Sequence, residues 1–427
     1  MRMMFRKFVE VLDKKGLLLK IKKQVSRRYE IATLMKKLDG KPLFFEHVKG
    51  SDYKVVANIA STRDLVALAL GVKKEELKFL LADAIDNSKP CKVKKAHGYE
   101  DIGNDITKLP VLLHYKKDGG PYLSSSIVVA THEKYGINAS YHRMMVIARD
   151  KLAIRILPRH FDTYLNEGVR EFAICIGVPM QVMLAAAISC ELGKSELDIA
   201  NAIKPTELIE LDGFLVPESE FVIIAEITNE RSNEGPFVDL TGTYDIVRKE
   251  RVARIKKIYA KPNALYHALL PGGLEHKILM GMPREPTIYR EVSKVVECKD
   301  VYITPGGCSW LHAVVSVKKR SKDDGKKAIE AAFKGHSSLK HVVVVDDDIN
   351  IYKPEEVEWA IATRFQADKD LVIKKGEKGS SLDPSADPIT RKTTKWGIDA
   401  TIPFDRERDK FLRAREPMNL EIKNYLG

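Results

Sequence analysis

The runs SSIVVATH at Ser125–His132, ASYHRMMVIAR at Ala139–Arg149, LAIRIL at Leu152–Leu157, EFAICIGV at Glu171–Val178 and EFVIIAEIT at Glu220–Thr228 decide the reading of this chain. VARIKKIYA at Val252–Ala260 is of the same kind. Each is short and rich in Val and Ile, whose branched side chains suit a pleated surface, and turn residues separate most of them. Such density predicts an antiparallel or mixed β core, interrupted by helices near Met180–Ala187 and Glu196–Ile203.

Before this core, LLLKIK, PLFFEHV and KVVANI alternate with helical patterns such as RDLVALALGV, which predicts a small α/β unit from Leu17 to about Leu112. Phe5, Phe8, Val9 and Leu12 fall at helical spacing and Gly16 stops the pattern, so the chain opens on a helix. After about Glu285, the strand-like LHAVVSVKK and HVVVVD alternate with the helical GKKAIEAAFKG and PEEVEWAIATR. The expected fold class is therefore α/β (α+β). Three domains are expected: N-terminal α/β at 1–112, a central β-rich domain at 113–290, and C-terminal α/β at 291–427. The polar stretch KKGEKGSSLDPSADPITRKTTKWG, residues 374–397, reads as a mobile loop or tail before a last, charge-rich helix.

At 427 residues the chain is too long for one ordinary core. Its net charge of +12 arises from 71 Lys and Arg interleaved with 59 Asp and Glu, with no basic block of the kind that tracks nucleic acid. A positive field that draws in small anions is the better use of that excess. Cys91, Cys175, Cys190, Cys298 and Cys308 are odd in number and scattered, which points to a reducing compartment. No signal-peptide pattern or membrane-length apolar run is present, so a cytoplasmic location is expected.

Two clusters invite chemistry. Glu234 and Asp239 flank the turn Gly235-Pro236, and two carboxylates in one cleft can divide acid and base roles; a solvated acidic loop fits the same residues. Asn138, Ser140, Tyr141, His142 and Arg143 put polar groups on an apolar strand. Period two sets Asn138, Ser140 and His142 on one face and Arg143 on the other, so Asn138 and Arg143 share a site only if the strand bends. Arg159-His160 and Ser195-Glu196 add possible ligands for a divalent ion, although each also reads as a cap or surface group.

In combination, GGPYLSSSIVVA (119–130), NASYHRMMV (138–146), LPRH (157–160), SELDIANAI (195–203), EGPFVDLTG (234–242), GLEHKIL (273–279) and KWGIDAT (395–401) follow one order along nearly the whole chain. That series resembles the UbiD-type decarboxylases. The resemblance implies a central split β-barrel of flavin-reductase type between the two α/β domains, the last used to form a homodimer or a hexamer of dimers. It implies prenylated FMN, supplied by a UbiX-type flavin prenyltransferase and tied by its phosphate to a divalent metal, usually manganese, with K+ close by. Matched by motif, Asn138, His160 and Glu196 are the metal ligands, and the carbonyls of about Ala185 to Ile188 face K+. Ser140, Tyr141, His142, Arg143 and Arg159 complete the cofactor contacts. Glu234, Arg143 and Asp239 form the catalytic network: Glu234 protonates the carbanion left by carbon dioxide, Arg143 holds the substrate carboxylate, and Asp239 orients Arg143 and tunes Glu234. Glu275 and His276 recur near the cofactor, with helix capping the competing role, and Lys395 and Trp396 are placed in a lid or in a domain-closing strand.

The compact chain, positive charge and Lys/Glu-rich, Cys-poor composition resemble the archaeal branch that decarboxylates trans-anhydromevalonate 5-phosphate to isopentenyl phosphate in a modified mevalonate pathway. Such a substrate needs a second anion anchor besides Arg143. A hydroxyaryl decarboxylase of the polyprenyl-4-hydroxybenzoate kind, and a non-catalytic flavin- or nucleic-acid-binding protein, are the alternatives.

Overall fold

The apolar runs around Ile127 show no alternation with polar residues, and their place in the fold explains it. In the computed structural model, which describes residues 3–414 together with Met418 and Tyr425, they form a nine-stranded antiparallel sheet with apolar layers on both faces. Along the strand Phe221–Glu234, Val222 and Ile224 join one apolar cluster, while Phe221, Ile223, Ala225 and Ile227 join the other. Successive side chains point to opposite faces, so only a sheet covered on both sides needs apolar residues at every position. Helices Phe5–Lys14, Met180–Ala185 and Glu196–Ile203 contribute to one layer, and Ile31 and Met35 of helix Glu30–Lys37 to the other.

The hydrogen-bonded order is Tyr122–Leu123, Met144–Ala148, Lys151–Ile154, Arg248–Ala260, Phe221–Glu234, Glu171–Ile176, Ile127–His132 and Gly136–Tyr141, with Glu100–Asp101 beside Arg248–Ala260. ASYHRMMVIAR, expected as one strand, is therefore two. Gly136–Tyr141 closes one end of the order, Met144–Ala148 lies next to the other end, and only His142 and Arg143 join them. Such a link spans only about 11 Å. The sheet must roll until its ends approach at this corner, although the end strands are not hydrogen-bonded to each other.

A four-stranded sheet, Leu19–Ile21, Leu43–Phe45, Lys54–Ala57 and Leu265–Ala268, packs alongside. Its last strand returns from far along the chain. Lys92–Lys95 pairs with Glu207–Leu211 in a small sheet that includes Phe214–Pro217. The C-terminal part is a mixed five-stranded sheet, ordered Glu297–Ile303, His312–Lys318, His341–Asp346, Lys392–Asp399, Leu371–Lys378, flanked by helices Asp324–Gly335 and Pro354–Arg364.

Here the stretch 374–397 departs from the expected mobile tail. It forms the ends of two paired strands and the loop between them. Lys395 and Trp396 belong to the inner strand, where Lys395 is buried and donates to the Ser337 carbonyl at 2.5 Å, and Trp396 stacks on His341. They close a sheet and are not a lid. The expected charge-rich last helix falls mostly outside the described residues, whose last regular element is a short turn at Arg408–Phe411. Among the described residues no helix is long and apolar enough to cross a membrane.

Candidate active site

The corner at His142–Arg143 is fixed from both sides, since Ser126 Oγ donates to the His142 carbonyl at 3.0 Å and Arg155 N to the Arg143 carbonyl at 3.1 Å. It supplies the bend that lets Asn138 and Arg143 serve one site. Beyond it, Arg143 donates from Nε to Glu234 Oε1 and from Nη2 to Glu234 Oε2, each at 3.0 Å. Nη1 donates to Asp239 Oδ2 at 3.0 Å and Nη2 to Asp245 Oδ2 at 2.9 Å. A guanidinium has five N–H donors, so one on Nη1 remains for a ligand. The Phe237 ring lies 4.7 Å from the guanidinium carbon. Burial alone would lower the Arg143 pKa, but its hydrogen bonds to Glu234 and the charges of Glu234, Asp239 and Asp245 outweigh burial and raise it.

Glu234 is fully buried, which removes the solvated-loop reading. Tyr122 donates its hydroxyl proton to Glu234 Oε1 at 3.0 Å. Gly235 adopts φ +98°, a region that suits glycine, and the Gly235–Pro236 peptide is cis. Gly119 presses against this turn: its N–H donates to the Pro236 carbonyl at 2.9 Å, and a Cβ there would stand 2.1 Å from the Gly235 oxygen. Asp245, which also receives two hydrogen bonds from Arg248, is held down to about 2, because the two guanidiniums overcome the upward pull of burial.

A second cluster forms where Glu196 opens its helix. Asn138 donates from Nδ2 to both Glu196 oxygens at 3.1 Å, Ala139 N–H donates at 2.9 Å, and the Cys190 thiol donates at 3.3 Å. His160 Nδ1 lies 3.9 Å away, and burial with the Arg159 charge keeps its pKa low, hence neutral. One donor atom each from His160, Cys190 and Glu196 falls within 4.8 Å of the others. Burial pushes Glu196 up to about 7, as for a carboxylate surrounded only by neutral donors. An imidazole, a thiol, a carboxylate and an amide suit a borderline divalent cation, so the residues fit a metal.

Both clusters open onto one cavity of 590 Å³, within the range of about 300–1,000 Å³ usual for small-molecule sites. Asn138, Ser140, Tyr141 and His142 line it, as do Arg143, Arg159, His160 and Glu196. Ala186, Ala187 and Ile188 border it too. Asp239 reaches the wall, whereas Glu234 stays behind it. Burial holds His142 near 4, and Nδ1 of this neutral ring donates to the Arg155 carbonyl at 3.1 Å.

Glu275 and His276 separate. Glu275 is buried away from the cavity and accepts from Asn58 N at 3.0 Å and Ala60 N at 2.9 Å, joining its helix to the N-terminal sheet. His276 lines the cavity; its Nδ1 accepts from Gly272 N at 3.1 Å, so a neutral ring carries its proton on Nε2. Four partners escaped sequence reasoning: Tyr122, Asp245, Arg248 and Cys190. Tyr122 sat inside a motif already singled out, whereas nothing local marked Asp245 or Cys190.

Three families match in succession: the 3-octaprenyl-4-hydroxybenzoate carboxy-lyase N-terminal domain at residues 9–85, its Rift-related domain at 84–274, and its C-terminal domain at 277–400. The anhydromevalonate phosphate decarboxylase of Methanocaldococcus jannaschii is 45% identical over 409 residues, covering 92% of this chain and 96% of the relative. The chain belongs to the UbiD family. The UbiD-class enzyme HmfF from Pelotomaculum thermopropionicum, solved with FMN, superposes with a TM-score of 0.95 at 37% identity, over 99% of this chain and 100% of that one. An evolved dimeric form of the same UbiD-class enzyme, solved with prFMN, gives 0.90 at 35% identity, over 99% and 100%. The chain is thus a UbiD-class carboxy-lyase of mixed α/β fold.

Proposed function

We propose that this chain decarboxylates trans-anhydromevalonate 5-phosphate to isopentenyl phosphate and carbon dioxide, using prenylated FMN. The observation that carries the reading is a single cavity holding a guanidinium clamp with a buried carboxyl behind it and beside it a cluster whose donors fit a divalent metal, in a chain similar end to end to an anhydromevalonate phosphate decarboxylase. Asn138, His160 and Glu196 would hold a divalent metal, manganese, against the flavin phosphate, with K+ at the carbonyls of Ala185–Ile188. When bound, the prenylated flavin supplies the electron sink for the carbanion left by carbon dioxide.

The remaining work belongs to side chains. Arg143 receives the substrate carboxylate on its spare Nη1 proton and on donors released from Asp239 or Asp245, which lowers the cost of burying a charge. Glu234, which here accepts from Arg143 and Tyr122, takes up a proton from solvent and passes it to the carbon that lost carbon dioxide. Because it does not reach the cavity wall, delivery requires Arg143 to swing off at least one of its two bonds to Glu234. Asp239 and Asp245 steer Arg143 between these positions, and Tyr122 holds Glu234 meanwhile. The rolled sheet is the proposed split β-barrel of flavin-reductase type of the central unit, 113–290, set between α/β units at 1–112 and 291–427. A UbiX-type prenyltransferase supplying the cofactor, a cytoplasmic location and a homodimeric or hexameric assembly complete the proposal.

Incubation of cofactor-loaded protein with trans-anhydromevalonate 5-phosphate, in parallel with 4-hydroxybenzoate-type acids, tests it. Isopentenyl phosphate and carbon dioxide should appear only from the former. Turnover confined to the aromatic acids would replace the substrate while leaving the family chemistry in place.

A further inference from the structure

The cavity contains two kinds of arginine. Arg143 and Arg248 are paired with carboxylates, and Arg155 meets Glu250 at 2.6 Å. Arg284 differs: among the described residues its guanidinium has neither an acidic partner nor a hydrogen bond, and its buried Nε faces no acceptor. Only 8% of the residue is exposed, and it lines the cavity. A cation taken out of water without a partner is costly, and proteins tolerate it where a ligand brings the counter-charge. Burial, with the neighbouring charge of Arg159, lowers its pKa to about 10, so it keeps its proton at neutral pH.

The surroundings are built to hold it. Gly281 lets the preceding helix press against the loop at Ser309, since a Cβ there would lie 2.4 Å from the Ser309 oxygen. That contact brings Arg284 to the Trp310 ring, 5.5 Å from its centroid. Trp310 in turn donates from Nε1 to Ser380 Oγ at 3.1 Å, and His336 packs edge-on against it with a buried, unpartnered Nε2. Ser338, Ser380 and Ser381 line the cavity with Arg284. Arg159, at its exposed edge, likewise has no acidic partner among the described residues. Two guanidinium forks with serine hydroxyls nearby match the several acceptor oxygens and double charge of a phosphate monoester better than a lone carboxylate.

We infer that Arg284, together with Arg159, binds the phosphate monoester of a ligand in this cavity, either the flavin's own or the substrate's. The inference deepens the proposed function and rests on it for the phosphorylated acid. Calorimetric titration in the presence of Mn2+ separates the sources, with wild type, Arg284→Met and Arg284→Lys titrated with FMN, with riboflavin, and, once FMN-loaded, with isopentenyl phosphate. If the flavin phosphate is bound, Arg284→Met weakens FMN at least tenfold and leaves riboflavin unchanged. If the substrate phosphate is bound, FMN is unchanged and isopentenyl phosphate weakens at least tenfold. Arg284→Lys, which keeps the charge and loses the fork, gives a smaller loss in the same arm and serves if Arg284→Met does not fold. Equal loss of FMN and riboflavin, or affinities all within twofold of wild type, overturns the inference. A failure to decarboxylate trans-anhydromevalonate 5-phosphate leaves the FMN and riboflavin comparison standing, so the two claims fail separately.

Discussion

Arg143 and Glu234 meet through two parallel hydrogen bonds of 3.0 Å, and the carboxyl they bury has no exposed surface. Replacing Glu234 by Gln keeps the shape but removes the transferable proton. Turnover of cofactor-loaded protein should fall by about 10²–10⁴-fold, the usual contribution of a positioned acid. Carbon dioxide release at unchanged rate would falsify the assignment.

Tyr122 tests the support behind that carboxyl. Its hydroxyl is buried and donates to Glu234 Oε1. Tyr122→Phe removes one of the two hydrogen bonds to Oε1 and leaves that from Arg143 Nε, which costs about 0.5–1.5 kcal/mol. Chemical denaturation should register that loss together with a lower kcat. A variant as stable and as active as wild type would show that the contact does not matter.

Gly119 offers a steric test that alters no charge. A methyl group at this position collides with the Gly235 oxygen at 2.1 Å, and both atoms belong to backbone. Gly119→Ala should cost about 1–3 kcal/mol and reduce activity further than stability alone explains, because the displaced turn carries Glu234 and Asp239. Unaltered kcat in folded Gly119→Ala protein counts against the turn as the positioning element.

His114 gives a pH dependence of defined sign. Burial holds its imidazole down to about 3, against an ordinary value near 6.5. The unfolded chain therefore takes up a proton that the folded protein refuses, so stability from this group is complete above pH 6.5 and declines as pH falls toward 3. Between pH 6.5 and 5, wild type should lose up to about 2 kcal/mol relative to His114→Gln. Parallel stability curves for the two proteins over that range would contradict it.

Chelation probes the second cluster. Glu196 is buried among neutral donors and gains from a cation. Stripping divalent metal should release flavin on desalting, and Mn2+ should restore its retention. Glu196→Gln should bind neither metal nor flavin tightly, as read by metal analysis and flavin absorbance. Full flavin retention by metal-free protein would separate the cofactor from this cluster.

Much of this protein was legible before folding. The two-sided apolar runs announced a covered sheet, helical spacing placed Phe5–Lys14, and ordered motifs named Glu234, Arg143, Asp239, Asn138, His160 and Glu196. The hairpin made from residues 374–397 was hidden, because its polar, Gly- and Ser-rich composition is that of a loop and its burial comes from packing on His341–Asp346 and the helix beside it.

What the sequence determined by itself is therefore the apolar layers of the covered sheet, since periodicity records local environment, and, through its ordered motifs, a family resemblance. The tertiary structure alone decided who meets whom. Glu234, Asp239 and Asp245 lie 91, 96 and 102 residues from Arg143, and no local pattern measures such a distance. They converge because a sheet with both faces buried rolls until its ends approach, and the two-residue corner at His142–Arg143 turns the guanidinium toward the carboxylates while Asn138 stays with Glu196.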